Sequence, residues 1–158
     1  MNEILSITKT AATAIFSLGD RGEALAAKYL VKSGYRIVVA NFKVPVGRNS
    51  KGVSVTGEID IIALDGETLV FIEVKTRRSD EFTPLISAVD RRKQRQITRT
   101  AKVYRKIFGI RDMAYRFDVV TVLMPKHVDP VIELTKNYWS ENTFRKQNWN
   151  HQTWNDFA

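Results

Sequence analysis

A chain of 158 residues, 44% of them apolar, is long enough for one buried core, and its net charge of +8 with an isoelectric point near 9.8 points to a polyanionic partner. The absence of cysteine excludes a disulfide framework, a zinc–thiolate site and a cysteine nucleophile, and it fits a reducing compartment. No run approaches the roughly 18 apolar residues of a membrane span, and Lys9 and Thr10 interrupt the short apolar pieces near the start, so no membrane partner is expected and the cytoplasm is the expected location.

Taken in order, residues 20–33 are predicted to form a helix. Asp20 and Glu23 have capping-box spacing, Leu25, Ala26, Tyr29 and Leu30 make an apolar stripe, and Gly34 stops it. Residues 35–44, rich in Ile and Val, read as a first strand. A loop is predicted over 45–54 from Pro45, Gly47, Asn49 and Gly52; it is basic through Arg48 and Lys51. Second and third strands follow at 55–64 and 67–76 around the hairpin signal Asp65-Gly66. A helix is predicted over 91–108, capped by Asp90 and stopped by Gly109. A strand at 116–124 and a short one at 131–134 close the pattern, with Asp118 expected to be a structural hydrogen-bonding residue. From Asn137 onward the chain is polar with scattered Trp139, Trp149 and Trp154, for which packing is the expected role and base stacking or partner binding the alternatives. His127 and His151 read as isolated surface residues. The predicted organisation is an extension over 1–19, one α/β domain over 20–136 with a mixed sheet flanked by helices in the order α-β-β-β-α-β, and a tail over 137–158.

The hairpin carries the chemistry. A two-residue loop at Asp65-Gly66 pairs Leu64 with Glu67, so that Asp60 faces Phe71 and Glu58 faces Glu73. Side chains alternate, which puts Ile59, Ile61, Ala63, Val70, Ile72 and Val74 on one apolar face. Glu58, Asp60, Glu73 and Lys75 gather at the outer end of the other. Like charges facing each other across a hairpin destabilise it, by about 4 kcal/mol per pair at about 4 Å and an effective dielectric near 20, before screening. Lys75 supplies one compensating charge. A Mg²⁺ or Mn²⁺ held by Asp60, Glu73 and Glu58 would supply two more, because carboxylates are the hard oxygen ligands these ions prefer. Such a site suits phosphodiester hydrolysis, with Lys75 placed to orient a water or to stabilise charge on phosphorus. The bland alternative is a solvated strand end closed by an ion pair between Lys75 and the acids.

Asp60 followed by Glu73-x-Lys75 on the next strand resembles the PD-(D/E)xK nuclease superfamily, although that spacing alone is a weak motif. More specific are Gly22-Glu23-x-Leu25-Ala26-x-x-Tyr29-Leu30, Gly34-Tyr35, the run Gly57-Glu58-Ile59-Asp60-Ile61-Ile62-Ala63, the run Phe71-Ile72-Glu73-Val74-Lys75-Thr76-Arg77, and Arg116-Phe117-Asp118-Val119-Val120, in that order. Together they resemble the YraN-like family of uncharacterised bacterial proteins, similar in fold to archaeal Holliday-junction resolvases. The resemblance implies a restriction-endonuclease-like fold, Asp60 and Glu73 as metal ligands and Lys75 as the catalytic lysine. It also implies a place for Glu23 in the site, beside its reading as a capping-box residue, and a homodimer by analogy with resolvases. The basic stretch 43–56 is longer than the family usually has.

The helix over 91–108 repeats Arg91, Arg95, Arg99, Lys102 and Lys106 at three- and four-residue spacing, with Ile97, Ala101, Tyr104 and Phe108 as its buried stripe. Lys93, one turn before Ile97, is expected to point inward towards the sheet, with Gln94 beside it; Arg77 and Arg78 follow Lys75 closely. These side chains form the expected phosphate surface, for DNA rather than RNA. The functional expectation is a divalent-metal-dependent endonuclease acting on DNA, branched structures included. The alternatives are a non-catalytic nucleic-acid-binding module and a nuclease subunit that cuts only with a partner.

Overall fold

The first helix, α1 (Arg21–Lys32), buries Gly22, Ala26, Ala27 and Leu30; of the expected stripe Ala26 and Leu30 are buried, while Leu25 and Tyr29 are half-buried and Ala27 takes a core place instead. The computed structural model describes residues 21–78 and 89–144. Asp20, the extension 1–19 and the tail residues Trp149, His151 and Trp154 therefore lie outside the described residues. After α1 come β1 (Arg36–Arg48), β2 (Ser54–Asp65), β3 (Thr68–Arg77), α2 (Arg91–Ile107), β4 (Tyr115–Leu123), β5 (Val131–Trp139) and a 3-10 turn at Glu141–Phe144.

The strands form one mixed α/β sheet in the order β1-β2-β3-β4-β5. Every neighbouring pair is antiparallel except β3 and β4. That parallel pair needs a crossover, and the segment carrying α2 supplies it. The helices cover opposite faces. On the α1 side Leu30, Tyr35, Ile61, Val70, Ile72, Val120 and Val122 pack together; on the α2 side Ile59, Ile62, Phe71, Ile97, Tyr104, Phe117 and Trp139 do. The predicted fold class holds, with β5 longer than expected: it runs to Trp139, past the point where the tail was placed, because Trp139 has a buried seat. Its ring stacks on Phe117 at 4.8 Å and its indole N–H donates to Thr98 Oγ1 at 2.9 Å, so packing is its role. Among the described residues no helix is long and apolar enough to cross a membrane.

Four local expectations change. The predicted loop 45–54 is mostly strand: β1 continues to Arg48 and pairs with β2 as far as Ser54. Pro45 is tolerated because β1 is an edge strand, and a register irregularity between Pro45 and Gly47, the latter at φ 133°, absorbs the extra residue. The hairpin register is shifted by two residues. Asp65 pairs with Thr68 and the turn is Gly66-Glu67, with positive φ (59°) at its first central residue. Ile59 leaves the face of Ile61 and joins the α2 side. At that level Asn41 of β1, between the pairs Ala40↔Ile61 and Phe42↔Ile59, has φ 52°. Phe108, expected in the buried stripe, caps α2 and is 57% exposed, resting on Tyr104.

Candidate active site and nucleic-acid surface

The shifted register changes which acids meet. In the pairing that runs through Ile61↔Ile72, the next step sets Asp60, not Glu58, opposite Glu73. The ladder ends there because Asp60 Oδ2 accepts the Val74 backbone N–H at 2.8 Å. This side-chain bond takes over a strand donor and fixes the carboxylate beside β3. Glu58 instead stands opposite Lys43 on β1 and pairs with it at 3.4 Å. The predicted cluster of Glu58, Asp60 and Glu73 is thus not gathered. Among the described residues no group of three His, Cys, Asp or Glu side chains is drawn together to hold a metal.

What is gathered is a buried acid pair with cations from two elements. Glu73, 2% exposed, places Oε1 at 3.0 Å from Lys75 Nζ and at 3.4 Å from Lys93 Nζ. Lys93 comes from the first turn of α2, whose N-cap Asp90 accepts the Lys93 backbone N–H at 2.8 Å. Its inward direction follows from its position one turn before buried Ile97; its pairing with Glu73 required the tertiary structure. Glu73 Oε2 is buried with no hydrogen-bond partner. Asp60 is pushed up to about 7, first by burial, then by the charge of Glu73, with Glu23 adding to it; the Val74 N–H and Lys93 act the other way. Glu23 of α1 is therefore within electrostatic reach of Asp60, so β2, β3 and both helices contribute to one end of the sheet.

The donor set fits a divalent cation of the Mg²⁺ or Mn²⁺ kind. Two carboxylates converge, one oxygen is orphaned, and burial makes the extra negative charge unfavourable. Mg²⁺ characteristically takes one or two carboxylates and fills its remaining positions with water and substrate phosphate. Asp60 and Glu73 are the residues that would hold it.

Arg91, Arg95, Arg99, Lys102 and Lys106 are all exposed along α2, as expected. Part of that stripe also serves the fold. Arg95 lies over the Phe144 ring at 5.6 Å and Lys102 is 3.9 Å from Glu141, so Arg95, Arg99 and Lys102 line a cleft of about 570 Å³ with Thr98, Thr143 and Phe144. The polar text beyond Asn137 had no periodicity to announce this wall. Gln94 donates its amide to the Val89 carbonyl at 2.8 Å and tethers the entry to α2. Arg77 follows Lys75 at the two-residue strand spacing, half-buried, with its Nε unpartnered.

A second polar cluster lies on the α1 face. Asp118 accepts from Arg116 Nε at 2.9 Å, from the Asn137 backbone N–H at 2.8 Å and from the Tyr35 hydroxyl at 3.4 Å. Arg116 also donates to Asp65 at 2.6 Å, and Lys136 joins Asp65 at 3.0 Å. Burial works against the charge on Arg116, but its hydrogen bonds to Asp118 and Asp65 outweigh that and raise its pKa. This cluster explains the shifted turn, since Asp65 is held in the strand by two cations.

The sequence profile of the uncharacterised protein family UPF0102 matches residues 22–122. A UPF0102 protein of Geotalea uraniireducens is 42% identical over 121 residues, which cover 77% of this chain and 87% of that one. A UPF0102 protein of Chlorobium limicola is 46% identical over 107 residues, 68% of this chain and 75% of its own. Among solved structures, that of SSO0001 is 18% identical with a TM-score of 0.32, and the match spans 75% of this chain and half of that one.

Proposed function

The chain belongs to the uncharacterised protein family UPF0102, and we propose that it is a divalent-metal-dependent endonuclease that hydrolyses DNA phosphodiesters. One observation carries the reading: a buried Glu73 oxygen without a partner, beside an Asp60 carboxyl driven towards neutrality, marks a place short of positive charge. The resemblance to PD-(D/E)xK nucleases agrees with it.

In this reading Asp60 and Glu73 would hold Mg²⁺ or Mn²⁺, which would supply Lewis-acid charge at the phosphate. Val74 fixes the Asp60 carboxylate through its N–H. Lys75 and Lys93 share Glu73 Oε1 and keep ammonium groups at the mouth of the site, each with about a third of its side chain exposed (34% and 30%). There they neutralise a phosphate oxygen as it arrives, and Lys75 holds the attacking water in line. The first turn of α2 contains Arg91, Arg92 and Lys93 and no acid. Asp90 at the N-cap is one carboxylate against these three cations, so that end of the helix stays net positive and favours an approaching phosphate.

The test is cleavage with Mg²⁺ or Mn²⁺ on linear duplex, single strand, flap, four-way junction and RNA, with Glu73→Gln and EDTA beside it. Cutting that requires both metal and Glu73 supports the proposal and names the substrate; cutting that survives Glu73→Gln sinks it. The two ion pairs on Glu73 favour a second reading, a closed and purely binding site. Equal binding by both proteins, with no cutting on any substrate, selects that one.

A further inference from the structure

The β1–β2 hairpin extends past the sheet as an arm with no core of its own. Residues 47–54 are all exposed, including Val53 at 58%. A two-stranded ribbon is marginally stable unaided, yet this one is built with care at both ends. At the tip, Asn49 Oδ1 accepts the N–H groups of Lys51 and Val53 at 2.9 and 3.0 Å, and Arg48 Nη1 donates to the Gly52 carbonyl at 2.6 Å. At the root, Gln96 of α2 donates to the Thr56 carbonyl at 3.1 Å. Gly57 lies so close to the helix that a Cβ there would fall 2.0 Å from Thr100 Oγ1.

Charge is distributed with the same bias. Between Val44 and Gly57 there is no acid, and Lys43 is neutralised by Glu58, so the positive charge of the arm sits at its tip on Arg48 and Lys51. Among the described residues neither has a carboxylate at ion-pair distance. Arg92 and Arg99, both exposed, flank Gln96 at i−4 and i+3, which makes the root of the arm continuous with the cationic side of α2. Six residue steps along β2 lead from Ser54 to Asp60, a reach of about 20 Å at strand rise. That exceeds the width of a B-DNA major groove, about 12 Å, which admits a two-stranded ribbon.

We infer that this arm is a duplex-gripping ribbon: Arg48 and Lys51 contact phosphates of double-stranded DNA on the flank of the segment presented to Asp60 and Glu73. The inference rests on the nucleic-acid reading above and adds how the substrate is held. The contacts are made to backbone, so they position the duplex without reading its sequence.

Fluorescence anisotropy of a 30-base-pair duplex, with the whole chain in EDTA across a salt series, separates the two levels. Replacing Arg48 and Lys51 together by alanine is expected to lower the slope of log affinity against log salt by about 1.8, at 0.9 per phosphate contact, and to weaken binding about tenfold or more at 0.1 M salt. The charge-preserving pair Arg48→Lys with Lys51→Arg is expected to keep the slope, which excludes a misfolded tip as the cause. An unchanged slope in the alanine pair, with a reduced one after Arg95→Ala and Arg99→Ala, overturns the arm and leaves the nucleic-acid reading standing. No duplex binding by the unaltered protein overturns both.

Discussion

Two buried acids sit one residue apart in the sheet and behave differently. Asp118 on β4 pairs in register with Ile72; Glu73, the next residue of β3, pairs with Val119. Because side chains alternate, Asp118 goes to the α1 face and Glu73 to the α2 face. Asp118, fully buried, receives Arg116, the Asn137 N–H and the Tyr35 hydroxyl, and every member of its cluster has a partner. Glu73, almost as buried, crowds two ammonium groups onto one oxygen and has none on the other, with a second carboxylate nearby. A satisfied buried charge holds a fold together, whereas an incompletely satisfied one beside a like charge leaves room for a ligand.

Substitution can break that comparison. Asp118→Ala should cost most in stability, about 2–3 kcal/mol in denaturant unfolding, since it removes a fully buried acceptor that serves the Asn137 N–H, the Tyr35 hydroxyl and Arg116, and leaves Arg116 to Asp65 alone among carboxylates; a loss under 1 kcal/mol would deny the cluster its structural role. Glu73→Gln should leave the fold intact and lower cleavage about a hundredfold or more, the scale of losing one group that stabilises developing charge. Wild-type turnover in that variant would remove Glu73 from the chemistry.

The next effects sharpen the contrast. Asp60 has a folded pKa above its unfolded value, so its contribution to stability is fully present below about pH 4 and is lost as pH rises through about 7. The metal-free protein should therefore lose stability from pH 5 to pH 8. Asp60→Asn, which keeps an acceptor for the Val74 N–H, should flatten that slope and raise the melting temperature at pH 8. A melting temperature that rises with pH in the wild type and not in Asp60→Asn would reverse the assignment. Smallest is the effect of the cation. At ten times its dissociation constant Mn²⁺ should stabilise the wild type by about 1.4 kcal/mol, should do nothing for Asp60→Asn or Glu73→Gln, and should still act on a folded Asp118→Asn protein. Equal stabilisation of all four would place the ion elsewhere.

Much of this was legible in the residues. The helix spans, the Asp90 cap and the existence of a hairpin joining β2 to β3 are local patterns, and period and capping chemistry read them correctly. The pairing of Asp60 with Glu73 in place of Glu58 was not legible. A turn signal of Asp-Gly tolerates two registers, and the choice depended on Asp65 being needed by Arg116 and Lys136, residues about fifty and seventy positions away in the chain. The arm was misread as a loop because Pro and Gly mark turns only when no partner strand is at hand. The strand through Trp139 was hidden because a polar text acquired its order from Phe117 and Thr98.

By itself, then, the sequence determined most of the element types, the mixed α/β class and the exposed cationic stripe of α2, since these follow from side-chain periodicity and charge within a few turns of chain. Tertiary structure alone decided which carboxylates meet, that Lys93 shares Glu73 with Lys75, and that Asp118 is satisfied while Glu73 is not. Those outcomes depend on register and on burial against distant elements, and the strength of a buried charge is set by the partners that packing brings to it.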